Sequence, residues 1–310
     1  MKYYNNNRII TIGDLHGDYL IFKKVLRMCK LINDKEEWIG KNTYLIQIGD
    51  TLDGKRPGVN NNHFLNESGE LEIFNLILKL DIQAKKNNGR VISILGNHEL
   101  YPFYLGNDQN FIKEYVKSKD IETIKKIEKI NRSKFFQPGN KGGIILGKTR
   151  PLILQLGEFL FIHGSITNKL ISNNLNSKNK VNIQNINNEV SNWLQNPKEN
   201  DVPEYLKNMD ENNPLFSRDY SKKEKINISD CEKIRKQLSF FEGAKYIVMG
   251  HSRFNDINVT CEKMLIRTDV SLSRAFGGGI NKKIQALEII QGRNKNPELY
   301  IISESGKIKL

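Results

Sequence analysis

The sequence predicts a layered α/β fold, because short apolar strands alternate with amphipathic helices in its N-terminal third. Runs of branched and aromatic residues are predicted as buried strands at residues 8–12, 43–48, 90–95, 158–162, 245–249 and 263–267. Five of these strands end at a glycine paired with a polar residue. Ligands bind beyond the carboxyl ends of strands in open α/β sheets, so these polar residues are candidates for a functional site.

Helices are predicted between the first three strands and again in the middle of the chain. Residues 19–30 and 70–86 carry apolar side chains at helical spacing, and the Asn87-Asn88-Gly89 sequence ends the second helix. Residues 104–140 have a helical pattern around residues 111–130. The alternation of strand and helix in this half of the chain supports the α/β assignment.

Residues 166–230 differ from the rest of the chain in composition. They are rich in Asn and Lys, contain a predicted helix at residues 181–194 and are interrupted by Pro197, Pro203 and Pro214. We therefore predict an inserted, mainly helical cap at about residues 166–230, within a single domain that spans residues 1–310.

The composition argues against several classes of protein. No apolar run among the 310 residues is long enough for a membrane-spanning helix, and the N-terminal residues lack the apolar segment of a secretory signal. The sequence thus predicts a cytoplasmic or nuclear protein with no membrane partner. The three cysteines (Cys29, Cys231 and Cys261) are scattered and odd in number, which predicts no disulfide framework and fits a reducing compartment.

Basic residues exceed acidic ones and give the chain a net charge of +13. They are dispersed, no run of five or six basic residues occurs, and no RNA-binding or zinc-finger motif is present. A solvated, lysine-rich surface is the favoured interpretation. A surface that binds polyanions is the alternative, because a positive field also attracts anionic substrates.

Five motifs follow the predicted strands and contain four of the five histidines of the chain. They are Gly13-Asp14-Leu15-His16-Gly17, Gly49-Asp50-Thr51-Leu52-Asp53-Gly54, Gly96-Asn97-His98-Glu99, His163-Gly164 and Gly250-His251-Ser252. Each motif taken alone is typical of a turn or of a structural histidine. Together they bring carboxylate, amide and imidazole groups to one sheet edge, which suits Mn²⁺, Fe or Zn²⁺ and is enough for two metals that share a carboxylate.

These motifs resemble the signature of the calcineurin-like metallophosphoesterase superfamily in residue type, order and spacing. The superfamily signature is Gly-Asp-x-His-Gly, Gly-Asp-x-x-Asp, Gly-Asn-His-Glu, a later histidine and a final Gly-His. The resemblance implies a four-layer α/β/β/α sandwich. It also implies two divalent metal ions, which in this superfamily are Mn²⁺, Fe²⁺ or Fe³⁺, or Zn²⁺.

The resemblance assigns roles to eight residues of this sequence. The implied ligands are Asp14 and His16 for the first metal, Asp50 as the bridge, and Asn97, His163 and His251 for the second metal. His98 is implied as the general acid that protonates the leaving group, and Asp53 as the carboxylate that pairs with His98.

Four further segments resemble the Shewanella-like protein phosphatases, at residues 70–89, 188–194, 214–220 and 269–278. In that branch a Pro-Leu-Trp-x-Arg segment supplies an arginine that contacts phosphate, and the resemblance assigns this role to Arg218. One position departs from the family, because Gly54 stands where an arginine normally clamps phosphate. Arg56 either takes over that contact from a longer loop or belongs to the solvated surface.

The function implied by the resemblance is metal-dependent hydrolysis of phosphomonoesters by an activated water. The expected substrate is a protein phosphorylated on serine, threonine or tyrosine. Hydrolysis of nucleotides, dinucleoside polyphosphates or RNA ends is the alternative; the basic charge permits it, but no motif supports it. A catalytically silent binding module is a third interpretation, and the complete set of metal ligands argues against it. Neither the metal nor the oligomeric state follows from the sequence.

Overall fold

Two mixed β-sheets form the centre of the computed structural model, which describes residues 8–222, 225–277, 283–292 and 296–310. The strands are β1 (Arg8–Ile12), β2 (Tyr44–Gln47), β3 (Arg90–Ser93), β4 (Ile153–Leu156), β5 (Phe159–Ile162), β6 (Tyr246–Met249), β7 (Asn258–Thr260), β8 (Leu265–Arg267), β9 (Gln285–Ile290), β10 (Glu298–Ser303) and β11 (Gly306–Lys309). The helices are α1 (Tyr19–Met28), α2 (Asn62–Leu65), α3 (Glu70–Lys85), α4 (Asn97–Leu105), α5 (Gln109–Tyr115), α6 (Ser118–Glu128), α7 (Arg132–Phe136), α8 (Lys141–Thr149), α9 (Asn168–Ser172), α10 (Ile183–Gln195) and α11 (Ile228–Leu238).

The first sheet has the strand order β11-β10-β9-β1-β2-β3. Strands β1, β2 and β3 are parallel, and their connections run through α1 and α3. Strand β9 joins β1 in the antiparallel direction, and β10 and β11 continue as antiparallel neighbours to the edge. The carboxyl ends of the three parallel strands therefore meet at one side of the sheet.

The second sheet has the order β4-β5-β6-β8-β7. Its three central strands, β5, β6 and β8, are parallel, and an antiparallel strand lies at each edge. Alternate side chains of β5 face opposite ways: Phe159 and Phe161 join the hydrophobic core shared with the first sheet, whereas Leu160 and Ile162 join a second core that includes the later helices.

Helices cover the outer face of each sheet. The first core includes Ile21 and Phe22 of α1 and Ile73 of α3, and the second includes Leu146 of α8 and Trp193 of α10. The order helix, sheet, sheet, helix confirms the predicted four-layer α/β/β/α fold.

All six predicted strands are present, as are the helices predicted at residues 19–30, 70–86 and 181–194. Strands β4, β7 and β9 to β11 were not predicted. Strands β4, β7 and β11 are at most four residues long, and β9 and β10 each contain a glutamate. Strand β11 is exposed along its whole length and contains two lysines, which is typical of an edge strand. Residues 269–278, which resemble the closing strand of the Shewanella-like branch, form no strand in their described part: they contain a 3₁₀ turn at Arg274–Phe276, and Gly278 lies outside the described residues.

Residues 166–230 are less helical than predicted. They contain α9, α10, a single 3₁₀ turn at Glu204–Leu206 and the start of α11. Pro197, Pro203 and Pro214 lie in the stretch between α10 and α11, where they cannot continue a helix. That this segment is a cap inserted in a single domain stays a prediction.

The expectation that the cysteines form no disulfide is wrong. Cys231 of α11 and Cys261, which follows β7, form a disulfide with their Cα atoms 5.3 Å apart, and Cys29 is free and buried. The chain brings the two together although 30 residues separate them, which scattered spacing did not reveal. The cysteine argument for a cytoplasmic or nuclear location is thereby lost. Within the described residues, no helix is long and apolar enough to span a membrane.

Candidate metal centre

Polar residues of the five motifs come together where strand ends from both sheets meet. The first sheet brings Asp14 and His16 after β1, Asp50 and Asp53 after β2, and Asn97 and His98 after β3; the second brings His163 after β5 and His251 after β6. All eight residues are buried, with at most 8% of their surface exposed. The structure therefore brings every residue predicted for the metal site and for the acid pair to one place.

The Asp50 carboxylate lies at the centre of this group. Its Oδ2 is 3.3 Å from His163 Nε2 and 3.8 Å from both His16 Nε2 and His98 Nε2. The ligand atoms of Asp50, His163 and His251 lie within 4.8 Å of one another, and so do those of Asp50, His16 and His98. Because Asp50 belongs to both triplets, it has the position that a carboxylate bridging two metals requires.

Backbone carbonyl groups fix which ring nitrogen of each ligand histidine carries the hydrogen. A carbonyl only accepts, so the ring nitrogen beside it must donate. The donations are His16 Nδ1 to the Leu52 oxygen at 3.0 Å, His163 Nδ1 to the Ile48 oxygen at 2.6 Å, and His251 Nε2 to the Phe216 oxygen at 3.1 Å. The opposite nitrogen of each neutral ring keeps a lone pair that faces the other ligands, as in metal sites.

These lone pairs lie close to one another. His163 Nε2 is 3.0 Å from Asn97 Oδ1 and 3.2 Å from His251 Nδ1, in addition to its contact with Asp50. Acceptor atoms approach this closely only where positive charge lies among them, which a bound cation or a proton on His163 would supply. The donor set of imidazole, carboxylate and amide oxygen fits Mn²⁺, Fe or Zn²⁺.

The protonation behaviour of the cluster also fits a cation site. Burial and the carboxylate of Asp269 raise the pKa of Asp14 well above its usual value. Burial opposes protonation of His163, but the carboxylates of Asp50 and Asp14 raise its pKa to about 10. Burial and the charge of Arg56 lower the pKa of His16, which keeps that ring in its neutral, metal-binding form. The crowded carboxylates thus favour positive charge at their centre.

His98 and Asp53 form a hydrogen-bonded pair beside these residues. His98 Nδ1 donates to Asp53 Oδ2 at 2.8 Å, and the ring lines the cavity at the start of α4. The backbone N–H of His98 donates to Asp50 Oδ1 at 2.9 Å, which ties the pair to the central carboxylate. The other oxygen of Asp53 accepts from Arg132 at 2.6 Å.

The backbone is left-handed at four of these residues. The φ angles are +41° at His16, +55° at Asp50, +63° at Asp53 and +67° at His251. Such angles are uncommon away from glycine and persist where surrounding contacts hold the backbone. Glu99 supplies such contacts at Asp50 and Thr51, whose backbone N–H groups donate to its carboxylate at 2.9 and 2.7 Å. The buried Arg150 in turn pairs with Glu99 at 3.1 Å.

Position 54, where the family has a phosphate-clamping arginine, has no room for a side chain. A Cβ atom at Gly54 would lie 2.7 Å from Lys117 Cε and 3.0 Å from the backbone oxygen of His16. Lys117 is itself buried, and its ammonium group donates to the Gly17 oxygen at 3.0 Å and pairs with Asp120 at 3.4 Å. Lys117 therefore occupies the space in which the side chain of a clamp arginine would begin.

Arg56 faces the cavity. Its Nη1 donates to the backbone oxygen of Asp53 at 2.7 Å, and its Nη2 lies 3.0 Å from His16 Nε2. The guanidinium also lies over the ring of Phe276, 4.7 Å from the ring centroid. Of the two interpretations of Arg56, this position favours contact with a bound phosphate over a place on the solvated surface.

The site opens into a cavity of about 1050 Å³. Arg218 lines it, and Nη1 of Arg218 donates to the His251 oxygen at 2.9 Å and to Ser252 Oγ at 2.8 Å. Aromatic side chains also line the cavity: Tyr101, Phe111, Tyr115, Phe254 and Phe276. The cavity lining thus combines the buried polar cluster with guanidinium groups and aromatic rings.

Sequence reasoning missed several residues that line the cavity, and three of them bear directly on the site. Tyr101 packs against His98 at 4.6 Å between ring centroids, and its position three residues later on α4 is a helical spacing that could have revealed it. Arg253 follows His251 by two residues. Asp269 belongs to a segment already noted, but nothing indicated that its buried Oδ2 finds no hydrogen-bond partner among the described residues.

Comparisons of the sequence with known proteins agree with this geometry. Residues 7–252 match the family described as calcineurin-like phosphoesterase. The chain is 30% identical to Shewanella-like protein phosphatase 1 of Plasmodium berghei, over 99% of this chain and 84% of that protein. It is 25% identical to Shewanella-like protein phosphatase 2 of Arabidopsis thaliana, over 92% of this chain and 76% of that protein.

Comparison with solved structures supports the fold. A cold-active protein-tyrosine phosphatase of a psychrophilic Shewanella species superimposes with a TM-score of 0.72 at 18% identity, covering 98% of this chain and 80% of the other. A serine/threonine phosphatase of Saccharomyces cerevisiae superimposes with a TM-score of 0.53 at 14% identity, covering 97% of this chain and 81% of the other. At these identities the likeness establishes the fold alone.

Proposed function

This chain belongs to the calcineurin-like phosphoesterase family, and on that premise we propose that it removes phosphate from phosphorylated proteins. Family membership and its phosphatase relatives make it a metal-dependent phosphatase, a hydrolase of phosphoric esters. The proposal adds the substrate, a protein phosphorylated on tyrosine or on serine and threonine. The observation that carries it is an Asp50-centred ligand cluster at the end of a cavity lined by arginines and aromatic rings.

The proposed ligands are those that the family resemblance implies, and the hydrogen bonds of the histidine rings support them. Asp14 and His16 would hold the first divalent ion, Asp50 would bridge, and Asn97, His163 and His251 would hold the second. Support comes from the backbone carbonyls, which accept from one nitrogen of each histidine ring and leave the other nitrogen turned towards the remaining proposed ligands. When bound, two such ions activate a water for attack on phosphorus and offset the charge of the phosphoryl group. Mn²⁺, Fe²⁺ or Fe³⁺, and Zn²⁺ all suit this donor set.

We assign proton donation to His98. Its Nδ1 hydrogen is held by Asp53, so a proton on Nε2 is free to pass to the oxygen of the departing group. The Asp53 carboxylate stabilises the charged ring before the transfer and keeps its orientation. His98 lies next to the proposed ligand Asn97 at the start of α4, a position that would bring the donor beside the bound metals.

Arg218 and Arg56 are proposed to bind the phosphate oxygens. Both guanidinium groups line the cavity, and a planar guanidinium can donate two parallel hydrogen bonds to phosphate. Because Gly54 leaves no side chain in the family's clamp position, Arg56 would supply that contact from its longer loop. Arg218 lies in residues 166–230, and we propose that this segment caps a single domain and shapes the entrance to the cavity.

The aromatic lining favours phosphotyrosine over phosphoserine. The ring of Tyr101 lies 4.8 Å from that of Phe111, and Phe111 stacks on Tyr115 at 5.0 Å between centroids. A substrate phenyl ring would find partners of this kind in the cavity, whereas a serine side chain would leave them exposed. Aromatic pairs of this type are worth about 0.5–1.5 kcal/mol beyond the area they bury.

A substrate panel with Mn²⁺ tests the proposal. The substrates are a phosphotyrosine peptide, the matching phosphoserine peptide, diadenosine tetraphosphate and bis-p-nitrophenyl phosphate. We expect both peptides to be hydrolysed, with the higher kcat/KM for phosphotyrosine. Faster hydrolysis of diadenosine tetraphosphate would favour the nucleotide alternative, and no turnover of any substrate would favour a silent module. Asp50→Asn protein serves as the control for contaminating phosphatase.

A further inference from the structure

Behind the His98–Asp53 pair lies a closed ring of hydrogen bonds that the function proposed above does not use. Arg132 Nη2 donates to Asp53 Oδ1 at 2.6 Å and to Glu70 Oε1 at 2.7 Å, and Arg132 Nε donates to Glu70 Oε2 at 2.6 Å. The backbone N–H of Asp53 donates to Glu70 Oε1 at 2.7 Å, which closes the ring. Glu70, Asp53 and Arg132 are all at most 2% exposed.

The ring determines where the Asp53 carboxylate points. One of its oxygens is held by Arg132 and the other faces His98 Nδ1, so rotation of the carboxylate would break both contacts. The backbone of Asp53 is held by the same Glu70 that holds the guanidinium. Asp53 is thus fixed at both its side chain and its backbone, at a residue whose φ is +63°.

We propose that Arg132, supported by Glu70, is a positioning residue for proton transfer to the leaving group. Arg132 directs one Asp53 oxygen towards His98 Nδ1, and this contact keeps His98 Nε2 aimed at the departing oxygen. The inference rests on the proposed role of His98 as proton donor. Arg132 does not line the cavity, so it acts through Asp53 and not on the substrate.

The geometry calls for an arginine at this position. Two nitrogen atoms of one planar group make three hydrogen bonds to two carboxylates, and this fork spans Asp53 and Glu70 together. A lysine would keep the positive charge but has a single tetrahedral nitrogen, which cannot hold both carboxylates in one plane. Arg132→Lys therefore separates charge neutralisation from positioning.

The test measures how the rate depends on the leaving group. p-Nitrophenolate departs readily without a proton, whereas the departure of phenolate from phenyl phosphate depends more strongly on proton donation. We expect Arg132→Lys to lower kcat about tenfold for phenyl phosphate and less than about threefold for p-nitrophenyl phosphate, with KM and bound Mn²⁺ unchanged, since a general acid contributes about 10²–10⁴-fold. Glu70→Gln, which keeps the size of the side chain, should show the same selectivity more weakly.

Arg150→Met is the matched control. Arg150 is also buried and also pairs with a glutamate, but its partner Glu99 holds the backbone at Asp50 and Thr51. Its loss should disturb the metal ligands, so both substrates should slow by the same factor and bound Mn²⁺ should fall. A double variant, Arg132→Lys with His98→Asn, should be no more selective than His98→Asn alone.

The kinetics of these variants distinguish positioning from a purely structural role. Equal slowing of both substrates by Arg132→Lys and by Glu70→Gln would overturn the proposal and leave Arg132 as a structural counter-ion. The proposal is also overturned if the double variant slows phenyl phosphate relative to p-nitrophenyl phosphate by a larger factor than His98→Asn alone. If His98→Asn itself slows both substrates equally, the role of His98 fails and this proposal fails with it. If Arg132→Lys does not fold, Glu70→Gln tests the proposal by the same criterion.

Discussion

The buried end and the open end of the cavity are built in different ways. The buried end consists of the six proposed metal ligands, each at most 6% exposed and each within four residues of the end of a strand. The open end consists of Arg56, Arg218, Lys222 and Arg253, which lie in loops, and all but the half-buried Arg56 are exposed. On the proposed function, sheet ends hold the hydrolytic groups, whereas loops carry the groups proposed to meet the substrate.

The largest effect is expected at the buried end, from Asp50→Asn. An amide loses the charge that sits within 3.8 Å of three histidine nitrogens, so both metals should bind more weakly. We expect kcat to fall by about 10³-fold or more, as loss of several kcal/mol of charge stabilisation implies. The measured quantities are the metal content of the purified variant and its kcat. An active variant with both metals bound would remove Asp50 from the bridging position.

His98→Asn should produce the next largest effect and leave the metals in place. Its contacts are with Asp53 and with the backbone at Asp50, so proton donation is lost while the ligands remain. We expect a loss of about 10²–10³-fold with phenyl phosphate and a smaller loss with p-nitrophenyl phosphate. Steady-state kinetics with both esters and metal analysis check this. An equal loss with the two esters would argue against general acid catalysis by His98.

The buried end was predictable from the sequence because every ligand lies within a few residues of a strand end. Local spacing therefore carries the information, and parallel strands bring the separate motifs together. Arg132 gives no such signal, because 79 residues separate it from Asp53 and 62 from Glu70. The same limit applies to Cys231 and Cys261, whose pairing depends on how α11 packs beside β7. The open end was only partly predicted: Arg218 and Arg56 were identified, but Arg253 was not.

At the open end, Arg218→Ala should have a clear but smaller effect. The guanidinium is held by the His251 oxygen and Ser252 Oγ, so it is already oriented towards the cavity. Hydrogen bonds to charged groups are worth about 1.5–3 kcal/mol, so kcat/KM should fall about 10–100-fold. Arg235→Ala is a suitable control, since Arg235 is exposed on α11 and pairs only weakly with Glu262 at 3.6 Å. Equal kcat/KM in both variants would exclude Arg218 from phosphate binding.

Arg56→Ala is expected to have the smallest effect of this series. Arg56 approaches from a loop and is anchored by backbone oxygens, so its loss should mainly weaken substrate binding. We expect KM for phosphate esters to rise about threefold to tenfold, with kcat changed less. Inhibition by inorganic phosphate gives a second measurement, and its inhibition constant should rise in parallel. If neither KM nor the inhibition constant changes, Arg56 is a surface residue and does not replace the phosphate-binding arginine that is missing at position 54.

The packing around Gly54 has a consequence for how this chain can change by mutation. An arginine introduced at position 54 would meet the buried Lys117, so the Lys117 side chain would have to shift to admit it. We expect that a smaller residue at position 117 would have to be introduced first, to make space for the arginine side chain. We therefore expect substitutions at positions 54 and 117 to be epistatic, with effects that depend on their order.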